Sequence, residues 1–470
     1  MEKDIGLCDL IFDYYESKIL FGYCKYGERL PSIAQLSSIS QLGENTVRGA
    51  FRRLREKGYI QSEERKASVV TYRGTSADFE KNKADYFVPR KDGIRDFFQA
   101  ARLLFIPIWE TALENTENPY RVVANRETAG KLFDDLPPVV QFCIDYVFPL
   151  KNELLTNLYW ECTRYVHLFY SPTTKSRIPR QGTASRTIQL EDGAYSDVKN
   201  EIFEFISKAR RKYHLEGVEQ IPFKWNVYRQ RPQLRYTLAA QMISEIFWGR
   251  YPVGSFLPSL TEMAEQYDIS LTTARRTVEL LNSLGVTRSY HGSGTKVLMD
   301  SAAADLPPSD VREDLRLHRE SLHLMGLTIR GVMLFTLESV PAARREKLMQ
   351  ELFEIRAQKR GFLCFGVILN FICENCPSMI VRECYSRLKE FIIWGCIMVL
   401  PLLKSEEFLT MHDRGIGQLE HYLKNNNLAA FADGCQSLME AHLKNDSMEL
   451  QTFTDDWQSL MEEKASKGQR

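Results

Sequence analysis

The chain has 470 residues, with 61 basic and 61 acidic side chains and therefore no net charge. This length exceeds a single ordinary core and predicts two to four domains. The balanced charge excludes a protein that is basic over its whole surface, so any surface that binds nucleic acid must be local.

The first predicted elements are three helices followed by a short β-hairpin. Apolar residues recur at helical spacing over residues 7–21, and Gly22 ends that helix. A second helix follows, a third spans residues 44–57, and residues 59–61 and 68–72 are predicted to pair as the hairpin. This order within about 70 residues is typical of a winged helix-turn-helix domain.

The third helix is predicted to have an apolar face and a polar face. The apolar face is formed by Val47, Ala50, Phe51 and Leu54. The side chains that we expect to contact DNA are Asn45, Thr46, Arg48 and Arg52. Amides, hydroxyls and guanidinium groups at the start of such a helix can bind base edges and phosphates in the major groove.

A polar, charged stretch over residues 74–93 is predicted to be a linker. Beyond it, residues 94–170 and 194–214 have helical periodicity and few strand-like runs, so we expect a helical domain. Residues 311–466 have the same character and predict a second helical domain.

The chain contains an internal repeat, because residues 249–289 align with residues 22–62 without a gap. The identical pairs include Gly22/Gly249, Gly27/Gly254, Leu30/Leu257, Pro31/Pro258, Ser32/Ser259, Thr46/Thr273, Arg48/Arg275, Leu54/Leu281 and Gly58/Gly285. The second copy is therefore predicted to have the same three helices, with hairpin strands at residues 286–289 and 296–298.

The second copy provides its own candidate DNA-binding groups. At the start of its third helix these are Ser270, Thr272, Thr273 and Arg275. At the tip of its hairpin, the glycines of the sequence HGSG allow the backbone of Gly292 to approach a sugar-phosphate edge, and His291 could enter a minor groove.

These elements predict a mainly α fold, in which two winged helix-turn-helix domains alternate with two helical-bundle domains as an internal duplication. The first winged domain is placed at residues 1–75 and its helical partner at 76–235. The second winged domain is placed at 236–300. The second helical domain, at 301–470, is predicted to bind an effector or to mediate dimerisation.

Both repeats resemble the DNA-binding domain of the GntR (gluconate repressor) family over residues 8–72 and 236–298. The resemblance is carried by the pattern G-x-x-x-x-G-x-x-LPS, then T-[VA]-R and L-x-x-x-G, and by the wing sequence HGSGT in the second copy. It implies DNA contacts by the start of the third helix, its arginine and the wing. Carried over to this sequence, these are Asn45, Thr46, Arg48, Ser270, Thr272, Thr273, Arg275, His291 and Gly292.

The two copies depart from the family pattern in different places. The family often has an arginine two positions after the Ser of LPS, where this chain has Ala34 and Thr261. In the first copy, Gly43-Glu44 replaces the hydroxyl at the helix start, and residues 63–66 replace the glycine wing. The resemblance implies that the missing arginine weakens phosphate binding.

The stretch from Phe365 to Asn375 and a terminal pair of predicted helices over residues 419–443 carry a second resemblance. Through them, residues 311–466 are similar to the helical ligand-binding domain of the fatty-acid-regulator branch of that family. Many members of this branch bind a divalent metal through an Asp and three His. Here His421 and His442 match two of the three, whereas Gly366 occupies the position of another. We therefore expect no metal and no cofactor, while a pocket for an organic effector in the helical domains remains open.

The sequence thus predicts a cytoplasmic bacterial transcription regulator, acting as a repressor on a double-stranded DNA operator. It would work as a pseudo-dimer within one chain or as a homodimer. The alternative is a replication-initiator or partition-type protein with tandem winged helices. No phosphate loop or nucleophile elbow is present, so we do not expect an enzyme. We expect no membrane association, since the apolar stretches 361–372 and 391–403 are too short to span a bilayer.

Overall fold

The computed structural model describes residues 5–40, 43–61, 67–114, 147–167, 199–227, 234–299, 309–399, 402 and 405–444. The chain divides into two compact units. The first comprises Met1–Arg229 with Ser378–Ile380, and the second comprises Gln230–Pro377 with Val381–Arg470. Among the described residues, helices dominate and the sheets are two two-stranded hairpins, which confirms the predicted mainly α fold.

The first unit begins with three helices and a hairpin, which we call the first helix–hairpin segment (residues 5–72). Its elements are α1 Ile5–Leu20, α2 Ile33–Ser40, α3 Glu44–Glu56, β1 Ile60–Gln61 and β2 Val69–Val70. Gly22 follows α1 with a φ of 80°, a left-handed conformation that glycine adopts without strain. The hairpin is antiparallel, with Ile60 opposite Val70. Its turn at residues 63–66 lies outside the described residues.

The core of this segment forms where α3 packs on α1. The four apolar residues predicted to face inward from α3 are all buried, and they pack with Phe12, Tyr15 and Ile19 of α1. Their spacing at i, i+3, i+4 and i+7 places them on one helix face, which explains why the sequence pattern identified them.

Helices account for most of the residues described in the rest of the first unit. The elements are α4 Ser76–Phe87, α5 Lys91–Glu114, α6 Glu153–Val166 and a helix over residues 199–212, here α7. The prediction of a linker over residues 74–93 is wrong, because α4 occupies most of it. The Thr75 side chain accepts a hydrogen bond from the Asp78 amide, and the Asp78 side chain accepts one from the Thr75 amide. This capping box starts a helix in a sequence whose polarity suggested a loop.

The second unit begins with the second helix–hairpin segment (residues 234–297). Its elements are α8 Leu234–Phe247, α9 Leu260–Gln266, α10 Leu271–Ser283, β3 Thr287–Tyr290 and β4 Gly294–Val297. The strands pair antiparallel from Thr287 opposite Val297 to Tyr290 opposite Gly294. The hairpin is tighter than predicted, because β4 begins at Gly294 and leaves a turn of residues 291–293.

Six further α-helices are found among the described residues of the second unit. They are α11 Ser309–Ser339, α12 Ala342–Ala357, α13 Cys364–Asn375, α14 Met379–Val399, α15 Glu406–Lys424 and a helix over residues 428–444, here α16. A hydrogen bond of 2.9 Å joins the buried hydroxyls of Thr328 on α11 and Tyr385 on α14. None of the helices in the described ranges has the length and apolarity that a bilayer crossing requires.

The C-terminal end of α8 packs against the helices of its own unit. Arg360 donates a hydrogen bond of 3.2 Å to the carbonyl oxygen of Trp248, and Phe247 makes an edge-to-face contact with Phe362. A Cβ placed on Gly366 of α13 would lie 2.9 Å from Cζ2 of Trp248. Gly366, which the sequence analysis compared with a metal-ligand position, therefore allows the indole to approach α13 closely.

Candidate nucleic-acid interface

The start of α10 is fixed by its own hydroxyl groups. Ser270 is the N-cap, and its Oγ accepts a hydrogen bond of 3.1 Å from the Thr273 amide. The same Oγ lies 2.8 Å from Oγ1 of Thr273. Both hydroxyls are thus bonded within the first turn. The remaining backbone amides of this turn have no partner inside the helix, and such amides at a helix N-terminus bind anions such as phosphate.

One face of α10 is buried and the other is exposed. Ala274, Thr277, Val278 and Leu281 face the interior. On the exposed face lie Leu271, Thr272, Arg275 and Arg276. Within the described ranges, the Arg275 guanidinium donates no hydrogen bond and forms no ion pair, so all of its donors face solvent. A guanidinium group whose N–H donors are unpaired, close to a capped helix N-terminus, can bind the edge of a guanine or a phosphate.

The hairpin is tied to α10 by Asn282. The Asn282 amide donates to Oγ of Ser289 over 2.9 Å, and its carbonyl oxygen accepts from Oγ1 of Thr287 over 2.8 Å. At the hairpin tip, His291 is exposed and Gly292 has a φ of 73°. The hairpin is therefore held against the C-terminal end of α10. Asn282 could not be identified from the sequence, because an amide near a helix end belongs to no recognisable pattern.

The sequence of this segment matches a known family. The model of the family described as "Bacterial regulatory proteins, gntR family" matches residues 234–297, from the start of α8 to the end of β4. Residues 234–297 are a gntR-family helix-turn-helix domain. The match covers the whole second helix–hairpin segment and confirms the predicted resemblance for this copy.

Solved structures of similar proteins include three regulators. Streptococcus agalactiae GntR is 19% identical over 45% of this chain and 100% of its own, with a TM-score of 0.21. E. coli McbR/YncC is 16% identical over 47% and 100%, with a TM-score of 0.26. A putative transcriptional regulator GntR from Rhodococcus sp. RHA1 is 14% identical over 46% and 97%, with a TM-score of 0.24. At these TM-scores the likeness carries no argument about this chain. No curated protein matches the sequence.

The start of α3 in the first segment is built differently from that of the gntR-family domain. Its N-cap is Gly43, which has no side chain to accept from the first-turn amides. Glu44 accepts a hydrogen bond of 2.8 Å from Arg48 one turn later, and Arg52 lies 3.9 Å from Glu56. Asn45 is exposed. The two predicted DNA-binding arginines of α3 are thus paired with carboxylates, whereas Arg275 is not.

Thr46 lies in the interior of the first segment. Its side chain is 3% exposed, and its hydroxyl has no hydrogen-bond partner among the described residues. The prediction that Thr46 contacts DNA conflicts with this burial, because the hydroxyl cannot reach a base edge from inside the domain. The equivalent Thr273 is partly exposed and bonded to Ser270.

Replacing Thr46 with Val should stabilise the first segment by about 1 kcal/mol, because it removes a buried hydroxyl without a partner and keeps the branched shape. Thermal unfolding of the full chain measures the change. Thr273→Val, at the bonded equivalent, serves as the control and should not stabilise. An equal or lower melting temperature for Thr46→Val would contradict this assignment.

His421 and His442, which match two metal ligands of the similar family branch, lie in different environments. His421 is exposed and its Nε2 lies 3.0 Å from Nδ2 of Asn425. His442 is buried, and its ring centroid lies 6.0 Å from that of His412, whose Nδ1 donates to the Phe408 carbonyl over 2.9 Å. Burial lowers the pKa of His412. The described residues contain no group of three ligands that could hold a metal ion.

In the first unit, the end of α1 packs against α4 and the end of α6. The His167 ring lies among Phe21, Tyr86 and Phe87, with centroid distances of 5.4, 4.0 and 6.1 Å. Burial, with Arg90 and Arg164 nearby, lowers the pKa of His167 to about 3. Nε of Arg164 lies 2.7 Å from Asp13 of α1, and burial raises the pKa of Asp13 to about 6.

Proposed function

We propose that this chain is a sequence-specific DNA-binding regulator of transcription, which binds an operator through its gntR-family domain. The observation that carries the proposal is the exposed start of α10, where a capped helix N-terminus is followed by Arg275, an exposed arginine with no partner among the described residues. The family match to residues 234–297 supports it. In this proposal the protein acts as a repressor and has no enzymatic activity.

Each predicted contact residue of this domain has a distinct role. Thr272 and Arg275 bind base edges, since both are exposed on one face of α10. Ser270 and Thr273 hold the helix start and present its amides to a phosphate. At the wing, Gly292 lets the backbone approach a sugar-phosphate edge, and His291 enters the adjacent minor groove.

We further propose that residues 1–75 are a second winged helix-turn-helix domain, so that the chain is an internal duplication. The repeated motif and the same order of three helices and a hairpin support this. The contact residues there are Asn45, Arg48 and Arg52. Because Glu44 engages Arg48, this copy binds DNA more weakly than the gntR-family domain.

Replacing Glu44 with Gln should raise the affinity of the full chain for its DNA site by about 3- to 10-fold, because it frees Arg48 and removes a negative charge that faces phosphate. The salt dependence of binding should become steeper. Titrations at two salt concentrations measure both effects. Glu56→Gln, which frees Arg52 at the far end of α3, is the matched control and should change the affinity less. An unchanged affinity for Glu44→Gln would show that α3 does not approach DNA.

Two winged domains in one chain could occupy both halves of an operator as a pseudo-dimer. The two DNA-binding helices begin with different residues, Gly43-Glu44-Asn45 in α3 and Ser270-Leu271-Thr272 in α10. A pseudo-dimer therefore prefers a site with unlike half-sites. Light scattering and selection from random DNA test this. A monomer on an asymmetric site supports the pseudo-dimer, whereas a homodimer on a perfect palindrome contradicts it.

We also propose that a small-molecule effector binds in the helical domains. A pocket of about 370 Å³ lies beside the end of α8, lined by Trp248, Arg344, Glu351, Arg360 and Asn370, among others. A small molecule bound there would contact the place where the gntR-family domain packs against the helices of its own unit.

Footprinting of genomic fragments tests the function itself. Protected sites next to promoters support a regulator, and release of the DNA by a metabolite extract would support effector control. Iterated sites at a replication origin would instead favour an initiator. Absence of any protected fragment would contradict the proposal.

A further inference from the structure

Leu271 is the first residue of α10, directly after the capping Ser270. Its side chain is 54% exposed. The other large apolar residues of this helix, Val278, Leu280 and Leu281, are buried. Leu271 is therefore not a core residue of the domain, and it lies at the helix end that we propose to face DNA.

The position of Leu271 relative to Arg275 determines what it can reach. Residues four apart lie one above the other on the same face of a helix. Leu271 is thus one turn closer to the helix start than Arg275, and both belong to the exposed face. A side chain at this position enters the major groove together with the arginine and meets a neighbouring base.

In the major groove, thymine is distinguished from the other bases by its apolar C5 methyl group. A leucine has no hydrogen-bonding group, so it gains from contact with this methyl group and leaves a donor or acceptor of the other bases unsatisfied. Building on the proposed function, we infer that Leu271 determines specificity for one thymine of the operator by packing against its methyl group.

The test removes that methyl group alone. The probe is the DNA site selected from random sequence by the full chain, with each thymine replaced in turn by deoxyuridine, which keeps every hydrogen-bonding group. At one thymine the replacement should weaken binding of the native chain by about 3- to 10-fold. The variant Leu271→Ala should bind the unmodified site with a similar loss and should respond less than about two-fold to deoxyuridine at that position.

Leu234→Ala is the matched control, because Leu234 is 53% exposed at the start of α8 in the same domain. It should keep the native response to deoxyuridine. Leu271→Gln provides a second variant, which should also lose the response and should shift the selected base from thymine to adenine.

Any one of four outcomes would overturn the inference. If the native chain selects a site but no deoxyuridine weakens binding, or if Leu271→Ala keeps the full response, Leu271 does not contact a methyl group while the proposed function stands. If Leu271→Ala instead changes only self-association, the exposed leucine belongs to a protein interface. Failure to select any DNA would overturn the inference together with the proposed function.

Discussion

Replacing Arg275 with Ala should weaken binding of the chain to its DNA site by about 1–3 kcal/mol, which corresponds to roughly 5- to 150-fold in Kd. Arg275 is exposed on α10, and its guanidinium has no partner among the described residues, so its donors remain available to a base. The loss should depend on the base pair that the arginine contacts. Fluorescence anisotropy with the selected site and with single-base variants measures both.

The neighbouring Arg276 provides the control for this prediction. It is also exposed on α10 but lies about 100° further round the helix. Arg276→Ala should reduce affinity less and equally for all sequences, as expected of a phosphate contact. Binding of Arg275→Ala within two-fold of the native chain, with an unchanged melting temperature, would contradict the assignment of α10 as the DNA-binding helix.

The first unit should lose stability as the pH falls below about 6.5. Burial lowers the pKa of His167 to about 3, so between these values the unfolded chain takes up a proton that the folded unit does not. The contribution of His167 to stability is therefore full above the ordinary histidine pKa and declines toward the folded pKa, by roughly 5 kcal/mol at most. Asp13 acts in the opposite sense, since its pKa is raised to about 6 and its protonation favours the folded form.

Hydrogen exchange in the full chain measures this effect, followed on peptides covering residues 153–167 between pH 7 and pH 4.5. His167→Asn should flatten the dependence of local stability on pH, and Asn tolerates the left-handed conformation at this position, where φ is 47°. His214→Asn is the control, because His214 is exposed with a φ of 54°. The same pH dependence in His167→Asn as in the native chain would refute the role of His167.

Local periodicity predicted the apolar side of the first helix–hairpin segment well. The spacing of Val47, Ala50, Phe51 and Leu54 placed all four in the core. Thr46 was assigned to DNA contact from its hydroxyl, although it lies four residues before Ala50 and therefore on the buried face of α3. Polarity also failed as a guide to residues 74–93, where a capping box starts a helix.

Interactions between residues that are far apart along the chain could not be predicted from the sequence. Asp13 and Arg164 are far apart along the chain, and neither lies in a motif, yet they form an ion pair. His412 was not considered beside His442, because their proximity depends on how α15 and α16 pack. Leu271 was overlooked for another reason, since an apolar residue in a helical pattern is normally assigned to the core.

The contact between Trp248 and α13 has a consequence for spectroscopy. The indole of Trp248 is 42% exposed and lies at the junction between the gntR-family domain and the helices of its own unit. Indole emission shifts to longer wavelength when the ring becomes more solvated. The difference between the emission spectra of the native chain and of Trp248→Phe therefore isolates one fluorophore at this junction. Separation of the domain from α13, by an effector or by DNA, can be followed in the unlabelled protein as a red shift of that difference spectrum.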